Sequence, residues 1–117
     1  MVRRVESLEA RIERLEYYQA LLFELLDVEK IALYKLIVKA QMTKNEVEEF
    51  LSLCDKMNEQ YKKQKAEGLI VFTPLLTEFV GMLHPNLDAE ETVKSLLTHG
   101  IYVPLMNEFK KIMNTIK

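Results

Sequence analysis

Apolar residues recur on a seven-residue period at the start of the chain: Val5, Leu8, Ile12 and Leu15, continuing through Gln19 to Leu22 and Leu26. The period comes from two copies of one pattern, Arg4-Val5-Glu6-Ser7-Leu8-Glu9 and Arg11-Ile12-Glu13-Arg14-Leu15-Glu16. In heptad terms Val5 and Ile12 are a, Leu8 and Leu15 are d, the arginines Arg4 and Arg11 are g, and Glu9 and Glu16 are e. From Tyr17 to Leu26 the chain is apolar almost all round, the mark of a helix covered on every side. The pattern therefore predicts a helix that leaves a short coiled-coil segment (residues 1–16) and enters a helical body (residues 17–117) of a single domain. A second helix is expected from about Val28 to Gln41, with Ile31, Leu33, Tyr34, Leu36, Ile37 and Val38 inward. Asp27 or a neighbour would break the chain before it. With no Gly or Pro at that junction, one long helix through Gln41 is the alternative.

Punctuation divides the rest. Thr43-Lys44-Asn45-Glu46 has the form of a capping box, and the helix it opens carries Val47, Phe50, Leu51, Cys54, Met57 and Tyr61 at helical spacing. Lys62, Lys63 and Lys65 suit its C-terminal end, with Gly68 as the stop. Thr73-Pro74 reads as an N-cap followed by proline at the first helical position, and His84-Pro85 ends that short helix. Asp88-Ala89-Glu90-Glu91 is a second cap and box whose helix stops at Gly100. A last helix starts at Val103-Pro104. The sum is an all-α chain of five or six helices.

A second repeat lies within these elements. Pro74-Leu75-Leu76-Thr77-Glu78-Phe79 matches Pro104-Leu105-Met106-Asn107-Glu108-Phe109, and each copy follows a Gly and a short apolar stretch. Either similar helix–linker–helix corners require similar residues, or two related helical hairpins arose by duplication.

The charges that flank the first seam give it a direction. In a parallel coiled coil, g of one chain meets e of the next heptad on its neighbour, five residues on, which is the offset of Arg4 from Glu9 and of Arg11 from Glu16. An antiparallel pairing would set Arg against Arg and Glu against Glu. Beta-branched a positions with Leu at d favour two strands. The doubled Arg-to-Glu signature favours three, because an arginine stem can lie over the seam while its fork reaches the neighbouring glutamate. The expectation is a parallel homotrimer, with a dimer as alternative, joined through Arg4, Val5, Leu8, Glu9, Arg11, Ile12, Leu15, Glu16 and Leu22. An ordinary amphipathic helix lying on its own domain is the competing reading.

Composition narrows the function classes. At 117 residues, 49% hydrophobic and 29% charged, the chain is an ordinary globular domain. A net charge of −2 offers no footprint for nucleic acid or anionic lipid. Its longest wholly apolar runs, such as Ala20 to Phe23, are far too short for a membrane span. The charged start is unlike a signal peptide, and the lone Cys54 fits a reducing, cytoplasmic setting.

No catalytic, cofactor-binding or metal-ligating constellation stands out. His84 and His99 lie at helix ends, where a histidine can serve a terminal carbonyl, and neither has a second ligand at metal-like spacing. Cys54 has core spacing and no activating neighbour. The methionines read as core fillers, and the lysines near Tyr61, flanked by Glu59 and Glu67, as a solvated helix end. There is no phosphate loop or nucleophile elbow. The leading reading is a homo-oligomeric interaction or structural module, with no cofactor. A small-ligand-binding helical protein is the runner-up, with Tyr34, Tyr61 and Tyr102 and a histidine lining a pocket between helices or subunits. A third reading is a regulator that contacts another protein.

The chain resembles the YhaI-like family of small uncharacterised bacterial helical proteins. The likeness rests on Arg11-Ile12-Glu13-Arg14-Leu15-Glu16-Tyr17-Tyr18, and on His84-Pro85 through Gly100-Ile101-Tyr102 to Pro104-Leu105-Met106. It implies a multihelical fold with intertwined, self-associating subunits. It implies no activity, so no functional residue is carried over.

Overall fold

The computed structural model describes residues 5–26 and 31–116. Among these residues there are six helices and no strands: α1 (Leu8–Leu25), α2 (Ala32–Lys39), α3 (Lys44–Ala66), α4 (Thr73–Met82), α5 (Ala89–Thr98) and α6 (Val103–Ile116). The protein is all-α, as the patterning predicts. Its chain forms two compact units, Met1–Ile31 and Ala32–Lys117.

In the first unit the Ser7 hydroxyl accepts the Ala10 N–H at 3.1 Å and caps α1. The helix ends where Leu26 turns extended, at φ −100° and ψ 149°, so α1 and α2 are separate helices and not one long one. Asp27 and Val28, the expected break and the expected start of α2, lie outside the described residues.

The second unit is built from corners that the sequence punctuates. Thr43 and Glu46 form the reciprocal capping box of α3, and the Asp88 carboxylate accepts the Glu91 N–H at 3.0 Å to cap α5. Gly68 and Gly100 take positive φ, 93° and 68°, and close α3 and α5 with the paired backbone bonds of a Schellman turn. The same turn ends α2 with Gln41 in the left-handed position, φ 57°, so α2 stops at Lys39, two residues before the expected end. Thr73 is not the N-cap of α4. It is the first helical residue, Phe72 precedes it without a side-chain cap, and Pro74 still fills the first turn.

Helix α5 packs on both α6 and α2, while α4 packs on α3 and α6. The proline repeat explains the centre of this core. Leu75, Leu76 and Phe79 from one copy and Leu105, Met106 and Phe109 from the other are all buried. The Phe79 and Phe109 rings stack with centroids 5.2 Å apart and planes 28° apart. The two hexads therefore deliver equivalent positions into one shared core. Cys54 and Met57 on α3 and Val93 and Leu96 on α5 complete it.

Four inward assignments are corrected. Tyr34 and Val38 on α2 are exposed, because the 3.6-residue repeat gives the inward face to Leu33 and Leu36. Leu51 on α3 is also exposed, and Leu53 takes the buried place. Met82, on the last turn of α4, is exposed and fills no core space.

Truncating Phe79 to Ala should lower stability by about 3–5 kcal/mol. The double variant with Phe109→Ala should cost less than the sum of the two single changes, because the rings stack on each other. Urea denaturation checks both statements; additive losses would show that the ring pair is not coupled.

Candidate functional site

The residues expected to carry self-association lie on α1. No residue of this 18-residue helix is buried. Its seam positions Val5, Leu8, Ile12, Leu15 and Leu22 are open to solvent, with exposures from 53% at Ile12 to 101% at Val5. Leu8, Ile12, Leu15 and Leu22 fall on one stripe of a continuous helix, and Val5 lies outside it, two residues before the Ser7 cap. Tyr17, Tyr18, Leu21 and Leu25 widen the apolar surface beyond that stripe and are exposed as well. Burial of a Leu or Ile side chain is worth about 1.5–3 kcal/mol, so a face of this kind favours a covering partner strongly.

The charges around the stripe are arranged to match. Arg14 forms an ion pair with Glu6 on the side of the helix away from the seam. Arg11, Glu9 and Glu16, at the g and e positions bordering the seam, form no ion pair among the described residues. Arg4 lies outside the described residues.

Polar side chains in the second unit are spent on structure. His84, in the loop after α4, accepts the Asn86 N–H on Nδ1 at 3.1 Å, which places its ring proton on Nε2. That Nε2–H donates to Glu46 Oε2 at 2.6 Å, while Glu46 Oε1 accepts the Thr43 N–H of the capping box at 2.8 Å. The Asn86 side-chain amide donates to the Ala40 carbonyl at 3.0 Å, so one loop ties the start of α3 and the end of α2 together. The Thr43 amide, followed by the His84 bond, holds the Glu46 carboxyl below its usual value of 4.5. His99 caps α5, as expected of a helix-end residue, but its ring acts elsewhere: Nε2 accepts the Leu33 N–H at 3.0 Å, satisfying an otherwise orphaned amide at the start of α2. Tyr34 meets that ring edge-on at 5.6 Å. Tyr102, at φ 53°, donates its hydroxyl to Asp55. Burial, then Asp55, pushes its phenol above the ordinary tyrosine range. Burial likewise pushes the Cys54 thiol up to about 12, the behaviour of an inert core residue.

The model of a family described as "Protein of unknown function (DUF1878)" matches residues 5–114. The chain belongs to the DUF1878 family. That match takes in the α1 stripe and runs through the later helices to residue 114, within α6.

The tyrosines proposed to line a pocket in this DUF1878 chain are engaged in separate contacts. Tyr61 packs on Phe72 with centroids 4.9 Å apart, Tyr102 is committed to Asp55, and Tyr34 stands 60% exposed beside His99. Open concavities lie beside Leu53 and Met82, beside Ala40 and Asn86, and beside Val93 and Met113, and none of the three is lined by these side chains. Among the described residues there is no cluster of His, Cys, Asp and Glu able to hold a metal ion. No helix among them is long and apolar enough to cross a membrane. Lys62 approaches Glu59 at 3.8 Å and Lys65 lies over the Tyr61 ring at 5.7 Å, which accounts for two of the three lysines at the end of α3. The Glu46–His84 link is the cluster that sequence spacing misses. The capping box is visible locally, but its second use depends on a residue 38 positions away.

Because the folded Glu46 carboxyl is more acidic than the unfolded one, its contribution is complete above about pH 4.5 and fades as pH falls through the lower folded value. The Glu46→Gln variant should be less stable than the native chain at pH 6, and the gap should narrow by pH 3. Urea midpoints at the two pH values check this; a gap of constant size would show that the carboxylate form of Glu46 contributes nothing.

Proposed function

We propose that this chain is a homo-oligomeric interaction module that assembles as a parallel trimer through α1. The observation that supports this reading is the exposed seam of Val5, Leu8, Ile12, Leu15 and Leu22, bordered by Arg11, Glu9 and Glu16, which form no ion pair among the described residues. In a parallel arrangement the seams close on each other, and Arg11 of one copy meets Glu16 of the next. The back-face pair of Arg14 with Glu6 stays outside that contact. Three strands suit the arginines best: each stem lies over the apolar seam and its guanidinium reaches the neighbouring carboxylate.

Two heptads are marginal as an isolated assembly. The apolar flank formed by Tyr17, Tyr18, Leu21 and Leu25 adds the area they lack. The YhaI-like resemblance supports the same reading, since it implies intertwined subunits of a bacterial protein. The buried, unpaired Cys54 suits a cytoplasmic, reducing setting.

Charge reversal tests the pairing. Arg11→Glu should weaken assembly about tenfold or more, by placing like charges across the contact. Adding Glu16→Arg in the same chain should restore much of the loss by reversing the pair. Dissociation constants from sedimentation velocity give the answer, and unchanged assembly in Arg11→Glu would refute the proposed contact.

A further inference from the structure

The repeat that gives α1 its seam also leaves that seam ambiguous. A slip of seven residues between neighbouring copies sets Ile12 beside Val5 and Leu15 beside Leu8, apolar on apolar, and places Arg11 opposite Glu9 instead of Glu16. The slip keeps one of the two Arg-to-Glu pairs between neighbours, so the heptad charges fix direction more firmly than register. One residue breaks the degeneracy. Helix α1 runs unbroken from Leu8 to Leu25, so the heptad phase set by Ile12 and Leu15 carries through to put Gln19 at an a position. Among Val5, Leu8, Ile12, Leu15, Gln19, Leu22 and Leu26 it is the one polar side chain. It is exposed and makes no hydrogen bond within the described residues.

We infer that Gln19 is the register-determining residue of the assembly, and that its partner is Gln19 of the neighbouring copies. The inference rests on the parallel self-association proposed above. In register, the carboxamides meet at one level, where each can donate through Nε2 and accept through Oε1 in a closed ring, leaving no buried amide unpaired. After a slip of one heptad, Gln19 faces Ile12 in one neighbour and lies beyond the helical seam, which ends before the extended Leu26, in the other, so no facing amide completes its hydrogen bonds. An antiparallel approach has the same fault, because Gln19 then lies beside apolar residues of the facing helix. A polar a-layer residue of this kind sets register at some expense of stability. Charges choose direction, and the amide chooses alignment.

The test uses the full chain with a spin label on Glu13→Cys, at an exposed b position away from the seam. The native Cys54 is fully buried and does not compete for the label. Pulsed dipolar spectroscopy should give one narrow distance with Gln19 in place. Gln19→Leu should tighten assembly and add a second, longer population, since a seven-residue slip displaces the label by about 10 Å along the axis. Gln19→Asn, which keeps the amide, should retain the single distance. A single unchanged distance in Gln19→Leu would overturn the register role while leaving self-association intact. Absence of dipolar coupling in the chain that keeps Gln19 would overturn the assembly itself, and the register role with it.

Discussion

A short helix in water is held by little more than its caps and a few side-chain pairs, and α1 has an apolar stripe to cover as well. Ser7 caps it and Arg14 pairs with Glu6, contributions worth a kcal/mol or so each at an exposed site. Neither removes Leu8, Ile12, Leu15 or Leu22 from water. Covering that stripe is the constraint from which the functional reading follows. The second unit has no comparable debt at its centre, since Phe79, Phe109, Met57 and Leu96 are fully buried and no buried side-chain polar atom among the described residues lacks a partner.

The two units thus divide the roles. The helical unit closes its own core, joined at the stacked Phe79 and Phe109 and tied at its edges by His84 and His99. Both histidines act through a ring nitrogen that accepts a backbone N–H, which uses the neutral ring. The side chains of greatest chemical promise therefore hold helix ends, and the surface that faces outward is hydrocarbon bordered by charge. That distribution is what the proposed self-association would use.

Local punctuation made most of the architecture legible. Thr43 with Glu46, Asp88, Gly68, Gly100 and Pro104 each act over one turn, and each does in the structure what its residue type predicts. Misreadings arose where two local rules competed or where a distant partner decided. Thr73 could cap or begin α4, and the chain uses it to begin. Gln41 closes α2 in a conformation that glycine would adopt more cheaply, so its sequence carried no stop signal. Tyr34 and Val38 looked inward only while the exact phase of α2 was open. The His99-to-Leu33 bond spans 66 positions and has no local signature at all. Of the proposed interface residues, the α1 stripe was legible because a heptad repeat is periodic, whereas Gln19 gains meaning only once the helix is seen to continue through it without a break.

The molar mass of the purified chain in solution tests the central claim most directly. Light scattering at micromolar concentration should give three times the single-chain mass of 13.7 kDa. Twice that mass would keep the seam and overturn the strand number. A mass of one chain would contradict the account, because the α1 stripe would then be stable in water without a partner.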